Sequence, residues 1–232
     1  MNRRSFLTGT VATVAALAAP PAEPLPFRTE VSLKKLAAEK SLKVSTAYNG
    51  GGHFDLEALI LHHCDIVTPE NALKPGFLAP ERTTNFAFER MDGTASFCRA
   101  NGLRLHGHTL YWHQTQPDWL NDAGSSSFVR DYMFYTAQVM PRYADLVDSW
   151  DVINEPFSDR KAGYRKTPVL DVHGDEFVRF LFRTARRAAP NAKLLINDYS
   201  LSCGAAYCQR KRDTALSTVE RLIKAGTPID GV

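Results

Sequence analysis

No run in this chain is long enough to cross a bilayer as a helix. The longest apolar stretch, Leu7–Ala19, falls short of the about 20 residues a spanning helix needs. Nor is there a strong surplus of either charge. The chain carries 28 Lys and Arg against 25 Asp and Glu; without residues 1–22 the balance is 26 to 25. That excludes the electrostatic footprint of a nucleic-acid or anionic-membrane binder. Cysteine is scarce, four in 232 residues with no C-x-x-C pair, so neither a disulfide scaffold nor a zinc or redox motif is supported. Cys203 and Cys208 flank a short loop and are placed to pair, while Cys64 and Cys98 sit in apolar helical contexts and read as core. Gly50-Gly51-Gly52 follows the first strand-like run, but no G-x-G-x-x-G opens a helix, so a dinucleotide cradle is unsupported.

What is present begins with a leader. Arg3-Arg4-Ser5-Phe6-Leu7, the mild apolar run and Ala16-Leu17-Ala18 predict a twin-arginine signal peptide over residues 1–22. Arg3 and Arg4 would engage the export machinery, and the mature protein would be periplasmic or extracellular, with no membrane attachment after cleavage. A Pro-rich linker and a helix fill residues 23–40. From 41 to 232, short apolar runs at Leu42–Ala47, Asp65–Thr68, Leu103–Leu110, Ser149–Asn154 and Lys193–Asn197 alternate with helical patterns. One helix has Phe177, Phe180, Leu181, Ala185 and Ala188 on a stripe; another has Leu216, Val219, Leu222 and Ile223 and stops at Gly226. Such alternation predicts an α/β fold with a parallel sheet. Polar clusters close the strands: Pro69-Glu70-Asn71, His108, Trp112-His113, Asn154-Glu155 and Asn197-Asp198-Tyr199. A doubly wound sheet gathers its ligand groups at one switch point. A (β/α)8 TIM barrel draws them from many strand ends. The barrel is therefore predicted, with five to six βα units present, since a complete one takes about 250 residues.

Trp150-Asp151-Val152-Ile153-Asn154-Glu155-Pro156 carries the most chemistry. An apolar strand delivers an amide and a carboxyl group at its end, which suits general acid/base work on a glycosidic bond. Read from this segment alone, Glu155 is as well suited to a structural ion pair. Glu70, Asn71 and Lys74 offer the carboxylate, amide and ammonium that a sugar subsite wants, or else open a helix with Glu70 and Lys74 paired at i, i+4. His106 and His108 fall on one strand face. That spacing also suits metal ligands, so a metal-dependent barrel hydrolase is the rival reading. Trp112 and Trp119 are either sugar platforms or simply buried.

Taken in order, T-P-E-N-A-L-K at Thr68–Lys74, F-A-F at Phe86–Phe88, G-H-T-L-Y-W-H at Gly107–His113, P-D-W at Pro117–Trp119, W-D-V-I-N-E at Trp150–Glu155, N-D-Y at Asn197–Tyr199 and the closing T-P-I-D-G-V resemble glycoside hydrolase family 10, the retaining endo-β-1,4-xylanases. The resemblance runs from about residue 43 to the end. It implies xylan or xylo-oligosaccharides as substrate, with Glu155 as acid/base and Asn154 beside the sugar 2-hydroxyl. Glu70, Asn71 and Lys74 would bind the non-reducing-side sugars, with His108 and Trp112 lining the cleavage subsite. It implies no obligatory metal or organic cofactor. Thr115, Ser200 and Pro75 stand where the family usually has Gln, Asn and Trp.

The family nucleophile is a Glu in a T-E-L-D-like segment preceded by a Q-x-H strand, and neither occurs in these 232 residues. The expectation is therefore the N-terminal portion of a xylanase, inactive alone. A non-catalytic xylan-binding remnant is the alternative, and a metal-dependent hydrolase using His106 and His108 the further one.

Overall fold

A computed structural model of the protein describes residues 31–52 and 54–232; the leader and the first part of the linker lie outside them. Residues 31–232 form one compact unit. Five strands, β1 (Ser45–Tyr48), β2 (Ile66–Pro69), β3 (Arg104–Trp112), β4 (Val147–Asn154) and β5 (Lys193–Asn197), pair in sequence order and all in parallel. Consecutive order with no reversal leaves no switch point, so the sheet is a partial barrel and not a doubly wound sheet.

The helices are α1 (Leu33–Ala38), α2 (Phe54–His63), α3 (Pro75–Leu78), α4 (Glu89–Asn101), α5 (Asp118–Asn121), α6 (Phe128–Val139), α7 (Pro168–Ala188) and α8 (Ala206–Lys224). Their ends are set by local chemistry. Gly102 closes α4 with φ +67, its N–H returning to the Cys98 carbonyl. Thr167 caps α7, its hydroxyl accepting from the Leu170 N–H at 3.1 Å, with Pro168 at the first helical position. Past α8, Gly226 at φ +74 turns the chain, as expected.

The core lies between sheet and helices, and the α7 stripe packs as predicted, with Phe177, Leu181 and Ala185 buried. The α8 stripe packs only in part: Leu222 is buried and Val219 half-buried against the core, but Leu216 and Ile223 are exposed, and the buried side of the helix is Cys208, Lys211, Thr214, Ala215, Thr218 and Leu222. Cys64 and Cys98 are free and buried, and Cys203 and Cys208 form a disulfide with Cα atoms 5.7 Å apart. The last residues lie along β5: the Asp230 N–H donates to the Leu194 carbonyl (2.8 Å), and the Ile196 N–H to that of Gly231 (3.1 Å). This is the expected start of a sixth strand.

Candidate active site

Strand register places the chemistry. Across β3 and β4, His106 stands opposite Ser149, His108 opposite Asp151, and Trp112 opposite Asn154. On the far side β5 sets Asn197 beside Asn154. Trp112, Asn154 and Asn197 thus form a row at the carboxyl end of the sheet, where barrels hold their active sites.

One layer down, the two imidazoles share a carboxylate. Asp151 Oδ2 lies 2.8 Å from His108 Nδ1 and 3.0 Å from His106 Nε2, while His106 Nδ1 meets Ser149 Oγ at 2.7 Å. Burial pushes the Asp151 carboxyl up, but hydrogen bonds and charge from both histidines outweigh it and hold the group below the usual carboxylate range. His106 and His108 do share a face, as the alternation required. Among the described residues, however, no group of three His, Cys, Asp or Glu is arranged to hold a metal ion. Both nitrogens of His106 and Nδ1 of His108 are engaged by Asp151 and Ser149.

The segment after β2 is a turn leading into α3, so Glu70 and Lys74 do not form the helical pair that was the structural alternative. Lys74 is buried, and its Nζ donates to Asn71 Oδ1 at 3.1 Å and lies 4.5 Å from the Trp112 ring centroid. Asn71 Nδ2 in turn donates to Asn49 Oδ1 at 3.2 Å. Burial draws the Lys74 ammonium's pKa down, with the carboxylates of Glu70 and Glu155 opposing. The ammonium therefore feels both the turn after β2 and the end of β4.

Asn154 is buried, its carbonyl oxygen accepting from Asn197 Nδ2 at 2.7 Å, which leaves its amide nitrogen as the donor. Glu155 follows in a left-handed conformation, φ +53, uncommon for a residue with a side chain. Its N–H donates to the Asn197 carbonyl (2.7 Å), and its own carbonyl accepts from Arg165 Nε (3.0 Å). Glu155 also acts on His113, whose pKa is lowered by burial first and then by Arg165, against the pull of Glu155 and Asp159.

Every predicted site residue but Trp119, whose indole N–H donates to the Ala79 carbonyl at 2.9 Å, thus belongs to one neighbourhood linked by register, hydrogen bonds or charge. His113, named above as part of the cluster closing β3, joins it, and so do three residues that sequence reasoning did not single out: Asp159, Arg165 and Lys211. The indole N–H of Trp112, at the end of β3, and Nδ1 of His113, just after it, are buried without a partner.

The arrangement can protonate or deprotonate a group lying over the Trp112–Asn154 row while polar side chains hold hydroxyls on the Glu70–Lys74 side. Comparison with known proteins points the same way. The sequence model of glycosyl hydrolase family 10 matches residues 32–232. An endo-1,4-beta-xylanase/feruloyl esterase of Xylanibacter ruminicola is 34% identical over 195 residues, covering 75% of this chain; the chain spans only 26% of that protein's length. The solved structure of a psychrophilic glycoside hydrolase family 10 endo-beta-1,4-xylanase superposes with TM-score 0.78 at 30% identity, over 86% of this chain and 63% of that one. Xylanase 10B from Thermotoga petrophila RKU-1, solved in complex with xylobiose, superposes with TM-score 0.76 at 26% identity, over 88% and 63%.

Proposed function

The chain belongs to glycosyl hydrolase family 10, and from that premise we propose that it supplies the acid/base and the non-reducing-side subsites of a retaining endo-β-1,4-xylanase acting on xylan. The observation that carries this is Asn154-Glu155 at the end of β4, set beside Trp112 by strand register, with the Glu155 charge acting on Lys74. Glu155 protonates the departing glycosidic oxygen, then takes the proton from the water that resolves the glycosyl intermediate. The Asn154 amide donates to the 2-hydroxyl of the sugar being cleaved, a contact that strengthens in the transition state. Glu70, Asn71 and Lys74 hold the next sugars, and the Trp112 face and the Nε2 side of His108 line the cleavage subsite.

Retaining chemistry needs a second carboxyl about 5–5.5 Å across the bond. No T-E-L-D-like segment occurs among these 232 residues, so they are expected to bind xylo-oligosaccharide without turning it over. Export through the twin-arginine route, led by Arg3 and Arg4, completes the reading. It places the protein where the polymer is.

The test uses the three tryptophans as reporters. In the chain labelled with 15N-tryptophan, xylotriose should shift the Trp112 indole signal saturably and leave that of fully buried Trp150 unmoved. The same sample should release no reducing sugar from xylan. No shift at any concentration would overturn the sugar-site reading, and steady release would overturn the missing second carboxyl.

A further inference from the structure

The sugar-binding set does not explain a lysine buried in α8. The Lys211 side chain has no exposed surface, yet its Nζ pairs at 2.7 Å with both Asp159 Oδ1 and Asp198 Oδ1. It also lies 3.5 Å from the Tyr199 ring centroid. Asp198 is fully buried too, whereas Asp159 is partly exposed. Replacing such a cluster by apolar side chains is often neutral or stabilising, so stability is a weak reason for its presence.

Each carboxylate goes on to hold the turn that carries Glu155. Asp198 Oδ2 accepts from the Phe157 N–H at 3.0 Å. Asp159 Oδ2 accepts from the Tyr199 hydroxyl at 2.5 Å and pairs with Arg165 at 3.2 Å. Arg165 then donates from Nε to the Glu155 carbonyl (3.0 Å), from Nη2 to the Tyr199 hydroxyl (3.0 Å) and from its backbone N–H to the Pro156 carbonyl (2.6 Å). Residues 155–157 are thus gripped at three backbone groups. The two side-chain grips, Arg165 on one side and Asp198 on the other, meet only at Lys211 and Tyr199. A non-glycine residue in the left-handed region is strained and persists where its surroundings over-determine it.

The geometry points to Lys211 as a positioning residue for Glu155: from α8 it ties the Asp159–Arg165 grip to the Asp198 grip, so that the Glu155 backbone keeps its left-handed turn and its carboxyl stays beside Lys74 and His113. The inference rests on Glu155 being the acid/base, and it assigns an element remote in sequence to holding that group in register. Around the Glu155 carboxyl the charged or titratable groups are Lys74, His113 and, through the backbone contact, Arg165. Lys211 acts on it through Arg165 and the turn.

The test compares the full 232-residue chain with Lys211→Met and with the double variant Lys211→Met/Asp198→Asn. The double variant removes one carboxylate with the ammonium and keeps an amide oxygen for the Phe157 N–H. Two quantities are read: the thermal midpoint, and hydrogen exchange at the Glu155 and Phe157 N–H groups. In the native chain both groups should exchange as slowly as the N–H groups of β4; fast exchange at both would overturn the proposal. Lys211→Met should lower the thermal midpoint. The double variant should recover most of that loss, while its Glu155 and Phe157 N–H groups exchange about tenfold or more faster. A double variant whose two N–H groups exchange as slowly as in the native chain would show that Lys211 only balances charge. Should the single variant not fold, the double variant and the native exchange rates carry the test. A missing xylotriose response would sink the sugar-site reading without touching either of these readouts.

Discussion

At the scale of single residues, Asp151 shows how a buried carboxylate can be structural and still serve a site. Two imidazoles satisfy it, and in doing so they fix their own ring orientations under the Trp112–Asn154 row. Both rings meet the same oxygen, so Asp151→Asn can keep an amide oxygen there but removes the charge that strengthens both bonds; the weakening should cost about 1–3 kcal/mol, read as a lower urea midpoint at neutral pH. The same carboxylate sets part of the acid limit. Its folded pKa is held below the usual range, as is that of Asp159, at about 2. A depressed carboxylate contributes stability that is complete above the unfolded value, about 3.9, and lost as pH falls through the folded one. Asp198 is shifted up by burial despite Lys211, so its contribution has the opposite sign and is full only below about pH 3.9. Asp92, Asp145, Asp148, Asp175 and Asp230 are held low as well, so seven depressed carboxylates against one raised one predict a net fall in urea midpoint from pH 5 to pH 2.5; a flat profile would contradict it. Lys74→Met makes a sharper prediction: it should weaken the xylotriose response at least severalfold while moving the thermal midpoint little, because a buried ammonium gives way to an apolar chain of similar length.

Glu155 and Asn154 were legible because an apolar run ending in Asn-Glu-Pro needs no tertiary knowledge. Arg165, Asp159 and Lys211 were not. Their partners lie between 6 and 52 residues away, and Arg210-Lys211-Arg212 reads as a solvated basic run. A signal did exist: Lys211 falls on the helical stripe with Cys208, Ala215, Thr218 and Leu222, all buried.

That stripe is also where the reading at the scale of elements went astray. Leu216, Val219, Leu222 and Ile223 made the predicted apolar stripe of α8; Leu222 is buried and Val219 half-buried, yet the helix turns Leu216 and Ile223 to solvent and buries a lysine and two threonines on its inner side. The polar face wins because Asp159, Asp198 and the Tyr199 ring already wait on that side. A hydrophobic count cannot know what it will face. The disulfide anchors the start of the same helix. For a loop of five residues' separation the chain-entropy treatment gives about 2 kcal/mol, so reductant should lower the unfolding free energy of the native chain by about that much, read from its urea transition. A Cys203→Ser/Cys208→Ser variant should be indifferent to reductant. Strand β3 offers another test. A Cβ on Gly107 would lie 2.3 Å from the ring of Trp150 on β4, itself fully buried. The residue is glycine because two strands and an indole meet there. Gly107→Ala should cost about 2–3 kcal/mol, the upper part of the usual overpacking range, and a circular-dichroism melt within 2 °C of native, allowing roughly the few degrees expected per kcal/mol, would refute that account.

Over the whole molecule, the strand order carries more than any single contact. Five parallel strands in sequence order, each ending in polar groups at the same side, place residues from Glu70 to Asp198 in one neighbourhood although 128 positions separate them. This architecture was legible, since alternating apolar runs and helical patterns with polar strand ends fit a barrel far better than a doubly wound sheet. The exposed surface was not, because which face of an amphipathic helix looks outward depends on its neighbours. Among the described residues β1 pairs with β2 alone, and Leu216 and Ile223, 57% and 51% exposed, stand seven residues apart on one side of α8. An unpaired strand edge and an apolar helix stripe both favour self-association. Light scattering on the 232-residue chain should therefore show a mass that rises with concentration, and Leu216→Lys/Ile223→Lys should lower that dependence. A mass constant at the monomer value across a hundredfold concentration range would show that neither the edge nor the stripe is sticky enough to matter. If instead the double lysine variant associates as strongly as the native chain, the contact runs through the β1 edge, where a proline in place of Thr46 is the substitution that should break it.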